Sequence, residues 1–212
     1  NHYLGQLVAA VSPKPQTTRK RQLGILTTEQ AQIIFVDTPG LHSGDYKLSQ
    51  FINEEAGYAL MDSELILFLV DASQPPDSED TQLAQEVESK SGRVKRLLVL
   101  NKIDLAEPSI IDQHEKAYKA LLAFDDAIRI SAITESGRED LLSRVIELLP
   151  EGPRYFPEEQ ITDVYEREIA EDLIRAAALH YLRDEVPYSI FVIVNDYEER
   201  PEDLRYIHAT LL

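Results

Sequence analysis

Apolar residues in this chain fall into short blocks whose period switches between that of a strand and that of a helix. Gln22 to Leu26 and Gln32 to Val36 bracket Thr27-Thr28-Glu29-Gln30 and predict a β-hairpin. Leu65 to Val70, Arg96 to Leu100 and Ile128 to Ile130 predict short strands. Helices are predicted from Ser78 onward, over Ile111 to Ala123 and over Arg138 to Leu149. In the last of these Leu141, Val145 and Leu148 share a face, and Ser136 with Glu139 has the spacing of a capping box. Apolar strands separated by amphipathic helices predict an α/β fold with a mostly parallel sheet covered on both sides.

Pro150-Glu151-Gly152-Pro153 breaks that alternation and predicts a domain boundary. The expected division is a first domain over 1–150, a linker over 151–160 and a second domain over 161–212. Asp163 and Glu166 offer another capping box, for a long helix to about Arg183. Tyr165, Ile169, Leu173 and Ala177 recur along one face of it. Val186-Pro187 ends that helix, and Tyr188 to Val194 and Tyr206 to Leu212 predict strands. One helix and two strands bury little apolar surface, so the second domain is expected to be incomplete or to lean on the first. At the other end, Tyr3, Leu4, Leu7, Val8 and Val11 read as the tail of a helix. A Pro-interrupted polar loop follows, from Ser12 to Arg21.

Charge narrows the choice of partners. A net charge of -17 argues against general affinity for nucleic acid or anionic membrane. The loop is the exception, since Lys14, Arg19, Lys20 and Arg21 stand in a stretch without a single acid. The chain has no cysteine, which excludes disulfides and thiolate metal sites. No run approaches the roughly 18 apolar residues of a membrane span, and the cytoplasm is the expected compartment.

Three strand ends carry the chemistry. Asp37-Thr38-Pro39-Gly40 follows the second arm of the hairpin, at the edge where open sheets bind ligands. A carboxylate there can hold magnesium through water, and the Gly40 N–H can approach a terminal phosphate. Asn101-Lys102-Ile103-Asp104 follows the next-to-last strand of the alternation. The Asp104 carboxylate can accept from both the N1–H and N2–H of guanine, whereas adenine offers it nothing at N1. The Lys102 stem can cover a face of the base, and Asn101 can tie neighbouring loops together. Ser131-Ala132, after the last strand, can bring backbone N–H groups to the guanine O6. Upstream, Thr17 or Thr18 can complete a magnesium shell when the terminal phosphate is bound. His42 reads as an ordinary loop histidine, and acid pairs such as Glu158-Glu159 as solvated surface.

These motifs resemble those of the Era family of ribosome-associated GTPases, within the TrmE–Era group of P-loop GTPases. The resemblance rests on Pro15-Gln16-Thr17-Thr18-Arg19, Asp37-Thr38-Pro39-Gly40-Leu41-His42, Asn101-Lys102-Ile103-Asp104 and Ile130-Ser131-Ala132. It extends to Asp184-Glu185-Val186-Pro187-Tyr188-Ser189, which is similar to the entry of Era's KH domain. It implies a P-loop GTPase domain followed by the start of a KH-like α+β domain. The implied function is GTP hydrolysis in assembly of the small ribosomal subunit, with binding to the 3′ end of its rRNA. GTP or GDP and Mg²⁺ are the implied cofactors, and the resemblance also admits K⁺. Thr18, Asp37 and Gly40 would serve hydrolysis, with Thr18 and Asp37 on the metal, and Thr17 stays open as the alternative. Asn101, Lys102, Asp104, Ser131 and Ala132 would bind the base. Leu41 stands where Ras-like switches carry a catalytic glutamine.

The family's Gly-x-x-x-x-Gly-Lys-Ser/Thr loop does not occur here, nor does the KH Gly-x-x-Gly loop. The resemblance places them just before Asn1 and just after Leu212, so the 212 residues by themselves are expected not to hydrolyse GTP. The alternative is a degenerate Era-like protein that binds RNA or ribosome without regard to nucleotide. A GTPase of the same group with tRNA-modifying or large-subunit duties is disfavoured by the segment from Asp163 to Ser189. A monomer is expected, and the resemblance admits peripheral association with the inner face of the cell membrane.

Overall fold

The computed structural model describes residues 1–10, 22–38, 60, 62–181, 190–201 and 204–212. Among them lie strands β1 (Gln22–Thr27), β2 (Gln32–Asp37), β3 (Leu65–Asp71), β4 (Lys95–Asn101), β5 (Asp126–Arg129), β6 (Val192–Arg200) and β7 (Leu204–Leu211). The helices are α1 (Ser78–Lys90), α2 (Pro108–Leu121), α3 (Arg138–Leu148) and α4 (Glu166–Tyr181). None of these helices is long and apolar enough to cross a membrane. Packing divides the chain into two units, residues 41–153 and residues 1–40 with 154–212.

In the first of these units β3, β4 and β5 form a parallel sheet in that order, with Asp71 beside Asn101 at the carboxyl edge. Leu97, Leu98, Val99 and Leu100 are all but fully buried, so β4 is covered on both faces as a parallel strand requires. β3 is covered less completely: Ile66, Phe68 and Val70 are buried, but Leu69 between them is 60% exposed. Ala84 and Val87 of α1 and Ile111 and Tyr118 of α2 close the core against Phe68, Val70, Leu98 and Leu100. Each large side chain so buried contributes about 1.5–3 kcal/mol.

Polar contacts fix how the helices enter. Asp77 caps α1 by accepting from Glu79 N and Asp80 N, and Asp80 Oδ2 accepts in turn from Asp77 N. The buried Tyr118 hydroxyl donates to Asp80 Oδ2 at 3.1 Å, linking α2 to that cap. The buried Arg96 guanidinium closes the far end of α1 by donating to Ser91 Oγ and Glu88 Oε2.

α3 does not begin as its sequence suggests. Gly137 is the N-cap and no side chain caps the helix. The Ser136 carbonyl is engaged by Ser131 N at 3.0 Å, and Gly137 takes the left-handed conformation with φ 73°. A Cβ there would stand 2.3 Å from the Arg129 carbonyl oxygen, so the turn from β5 into α3 requires glycine.

In the other unit β1 and β2 pair antiparallel from Gln22 with Asp37 to Thr27 with Gln32. The turn is closed by Thr28 and Ala31, which exchange hydrogen bonds. Residues 154–163 are laced to this hairpin. Gln32 Oε1 accepts from Tyr155 N at 2.8 Å and Phe156 N at 2.9 Å, and Gln32 Nε2 donates to Phe156 O at 2.9 Å. Ile25 N donates to Ile161 O at 2.8 Å. Asp163, expected to cap α4, instead accepts from Leu23 N at 3.3 Å, and the Tyr165 carbonyl takes the first helical bond, from Ile169 N.

α4 packs on the β6–β7 hairpin. Val194 is wholly buried, its N–H donates to Glu171 Oε1 at 2.9 Å, and Arg167 donates to its carbonyl. β6 runs past the predicted strand to Arg200, and Asp196, Tyr197, Glu198, Glu199 and Arg200 keep their pairing with β7. Residues 154–212 thus share one unit with residues 1–40, tied to β1 and β2 by the bonds at Leu23, Ile25 and Gln32.

Candidate guanine-nucleotide site

The ends of β3, β4 and β5 bring Asp71, Asn101 and Ser131 to one edge of the parallel sheet. Asn101 is the hub. Its Oδ1 accepts from Lys102 N at 2.8 Å and from Ala132 N at 2.9 Å, joining the loop after β4 to the loop after β5. Two backbone bonds reinforce the joint, Ala72 N to Asn101 O at 2.8 Å and Ile103 N to Ile130 O at 3.3 Å.

Lys102 occupies the left-handed region with φ 63°, uncommon for a side-chain-bearing residue, and the Asn101 bond holds it there. The chain then turns through a short 3₁₀ segment, Ile103–Leu105, which presents Asp104 at the surface. The Asp104 carboxylate has no hydrogen bond or ion pair to any described residue. An exposed carboxylate left without a partner, between a clamped lysine and a clamped neighbouring loop, is available to a ligand that offers two N–H donors.

Ser131 is buried and its Oγ accepts from Thr134 N at 3.1 Å, which folds the loop back on itself. Both amides expected at the base O6 are committed inside the protein, Ser131 N to Ser136 O and Ala132 N to Asn101 Oδ1. A base must therefore compete with Asn101 for the Ala132 N–H or meet the next amide along, at the 82% exposed Ile133.

One participant was not singled out in the sequence. Asp71 Oδ2 accepts from Lys102 Nζ at 2.7 Å, while its Oδ1 accepts from Ser73 N at 3.0 Å and Ser73 Oγ at 2.6 Å. Partial burial pushes the Asp71 carboxyl up, but the bonds from Lys102 and Ser73 outweigh it and hold the group below the usual carboxylate range. Its position at a strand end in register with Asn101 was the available signal.

Asp37 is the last residue of β2, exposed, opposite Gln22. A single carboxylate of this kind suits magnesium, which keeps most of its waters, better than an ion that demands a full protein cage. No cluster of three or more metal-ligating side chains occurs among the described residues. Thr17, Thr18, Gly40, Leu41 and His42 lie outside the described residues, as do Lys14, Arg19, Lys20 and Arg21.

Comparison with known proteins finds relatives along nearly the whole chain. Residues 1–102 match the family model described as 50S ribosome-binding GTPase. GTPase Era of Geobacter metallireducens is 39% identical over 202 residues, which is 95% of this chain and 67% of that protein. The chain spans about two thirds of the length of the curated relatives it matches. Among solved structures, Era in complex with MgGDPNP and nucleotides 1506–1542 of 16S ribosomal RNA superposes with a TM-score of 0.86 at 33% identity. A variant of Aquifex aeolicus Era bound to GDP·AlF4⁻ gives 0.85 at 30% identity. Each of these two matches covers all of this chain and 72% of the other. With strand-end motifs, parallel sheet and whole-chain similarity in agreement, the chain belongs to the Era family of GTPases.

Proposed function

We propose that this protein binds and hydrolyses GTP as an assembly factor for the small ribosomal subunit, engaging the 3′ end of the small-subunit rRNA. The observation that carries the nucleotide reading is the free, exposed Asp104 carboxylate beside the Asn101 clamp. In this reading Asp104 accepts the guanine N1–H and N2–H, the Lys102 stem covers the base, and Asn101 keeps the loop bearing Ser131 and Ala132 in place. Asp37 and Thr18, with Thr17 as the alternative, hold magnesium, and the Gly40 N–H meets the terminal phosphate. Magnesium held there would supply positive charge to offset that on the transferring phosphoryl group. Water attacks the terminal phosphorus and the bond to the bridging oxygen breaks, giving GDP and phosphate. With Leu41 in place of a glutamine, the attacking water has no side-chain amide from that position to orient it. Potassium is proposed as an accessory cation.

The proposed division of labour is nucleotide chemistry in residues 1–150 and RNA binding in a KH-like domain that begins near residue 161. The rRNA assignment is supported by the solved Era complex, which matches this chain throughout and holds 16S RNA. The family model that names the large subunit matches only residues 1–102.

The test uses the full-length gene product. GTP and ATP turnover are measured with Mg²⁺, in K⁺ and in Na⁺, together with binding of a single-stranded RNA copying the 16S 3′ end. GTP-selective turnover and RNA binding that depends on the nucleotide are expected. Absence of guanine selectivity would sink the enzymatic reading, and RNA binding indifferent to nucleotide would favour a degenerate binding protein.

A further inference from the structure

The nucleotide reading leaves Asp71 without a task, although it is the side chain that holds the Lys102 ammonium. Every contact around the pair restricts it. The Lys102 backbone is fixed by Asn101 Oδ1 at 2.8 Å in the left-handed conformation, and its Nζ is fixed by Asp71 Oδ2 at 2.7 Å. Asp71 cannot swing away easily, because Ser73 N and Ser73 Oγ grip the other carboxylate oxygen. The strand ends beneath are joined by the bond from Ala72 N to Asn101 O. A long, flexible lysine is thereby held at both ends, with its methylenes strung between them.

The second consequence concerns charge. Asp104 lies two positions from Lys102 and carries no partner among the described residues. A lysine released from Asp71 would find the Asp104 carboxylate as a nearby acid of the same loop. Pairing there would occupy the oxygens that the base needs, and binding guanine would first have to break that pair.

We propose that Asp71 is a positioning residue for guanine binding: it holds Lys102 extended and keeps the ammonium off Asp104. This rests on the reading of Asp104 as the guanine selector. Asp71 acts through Lys102 and touches no part of the nucleotide.

The test measures dissociation of a fluorescent GDP from the full-length gene product by stopped flow. The proteins are the wild type, Asp71→Asn, Lys102→Met, the double variant and Asp104→Asn, each checked for its thermal midpoint. Asparagine keeps an acceptor for Ser73 and removes the charge. Asp71→Asn is expected to release GDP about 3- to 5-fold faster, the size of a part-exposed ion pair. Asp71→Glu, which restores the charge, is expected to recover part of the loss. In the double variant GDP should leave no faster than from Lys102→Met, because Asp71 has nothing to act on once the ammonium is gone. Additive losses, or an Asp71→Asn rate equal to wild type while Asp104→Asn weakens GDP binding, would overturn this inference and leave the guanine reading intact. No effect of Asp104→Asn on GDP would remove the guanine reading and this inference with it. If Asp71→Asn does not fold, Ser73→Ala, which frees the carboxylate to rotate, carries the same comparison.

Discussion

Asp104→Asn tests the reading of the site at the atom that matters. The side chain is exposed and without a protein partner among the described residues, so the exchange removes no contact that holds the fold. Any loss of ligand is then a loss of recognition. The carboxylate would accept two donors from guanine, and charge-assisted bonds contribute about 1.5–3 kcal/mol. GDP affinity should therefore fall by roughly 10- to 150-fold. The amide changes the pattern as well as the strength, since it offers one acceptor and one donor. Xanthine, with N1–H beside a carbonyl at position 2, matches that pattern, so the variant should prefer XDP to GDP. Titrations of full-length wild type and variant with fluorescent GDP, XDP and ADP, alongside thermal melts, read both effects. A GDP affinity within twofold of wild type, or equal weakening of GDP and XDP, would refute the assignment of Asp104 as the base reader.

Three further predictions concern the frame. Gly137→Ala should destabilise the protein by about 2–4 kcal/mol in urea unfolding, because a Cβ at φ 73° would meet the Arg129 carbonyl at 2.3 Å. A loss below 0.5 kcal/mol would show that the turn before α3 can relax. Tyr118→Phe removes the bond to Asp80 and should cost about 1 kcal/mol at neutral pH. Burial first, and then the Asp80 charge, raise the Tyr118 hydroxyl above the usual tyrosine range. Its contribution is thus complete below that range and declines as pH rises towards the raised folded value, so wild type and variant should converge in strong alkali. Gln32→Ala removes the three bonds to Tyr155 and Phe156 and one to Thr27, and should cost about 2 kcal/mol after water replaces part of them. Hydrogen exchange at the Tyr155 and Phe156 amides should accelerate in the same variant, and unchanged protection would refute the lacing.

What could be read in advance depended on the range of the interaction. β3 and β4 announced themselves as apolar runs because the parallel sheet buries Leu97 to Leu100 from both sides. The hairpin was legible because its two arms flank a short polar turn. Caps were less so. Ser136 with Glu139 and Asp163 with Glu166 have the right spacing, yet the Ser136 carbonyl is committed to Ser131 and the Asp163 carboxylate to Leu23. Local propensity lost in each case to a bond from a strand or loop elsewhere in the same unit. β6 was cut short for a related reason: Asp196 to Arg200 are polar and mostly exposed, and only pairing with β7 and the stacking of Arg200 on Tyr206 make them strand.

The candidate site shows the same division. Asn101, Lys102 and Asp104 are adjacent in sequence and could be recognised as a motif. The bonds that give the motif its shape, Asn101 to Ala132 and Asp71 to Lys102, each span 31 residues. A parallel sheet generates such contacts as a matter of course, because successive strand ends return to the same edge after each crossover helix. The residues that read a ligand can therefore sit in one loop, while those that hold the reader in place come from the neighbouring strand ends. Asp71 belongs to the second class: its local sequence does not mark it, and the register of β3 on β4 sets it beside Asn101 and so next to the lysine it holds.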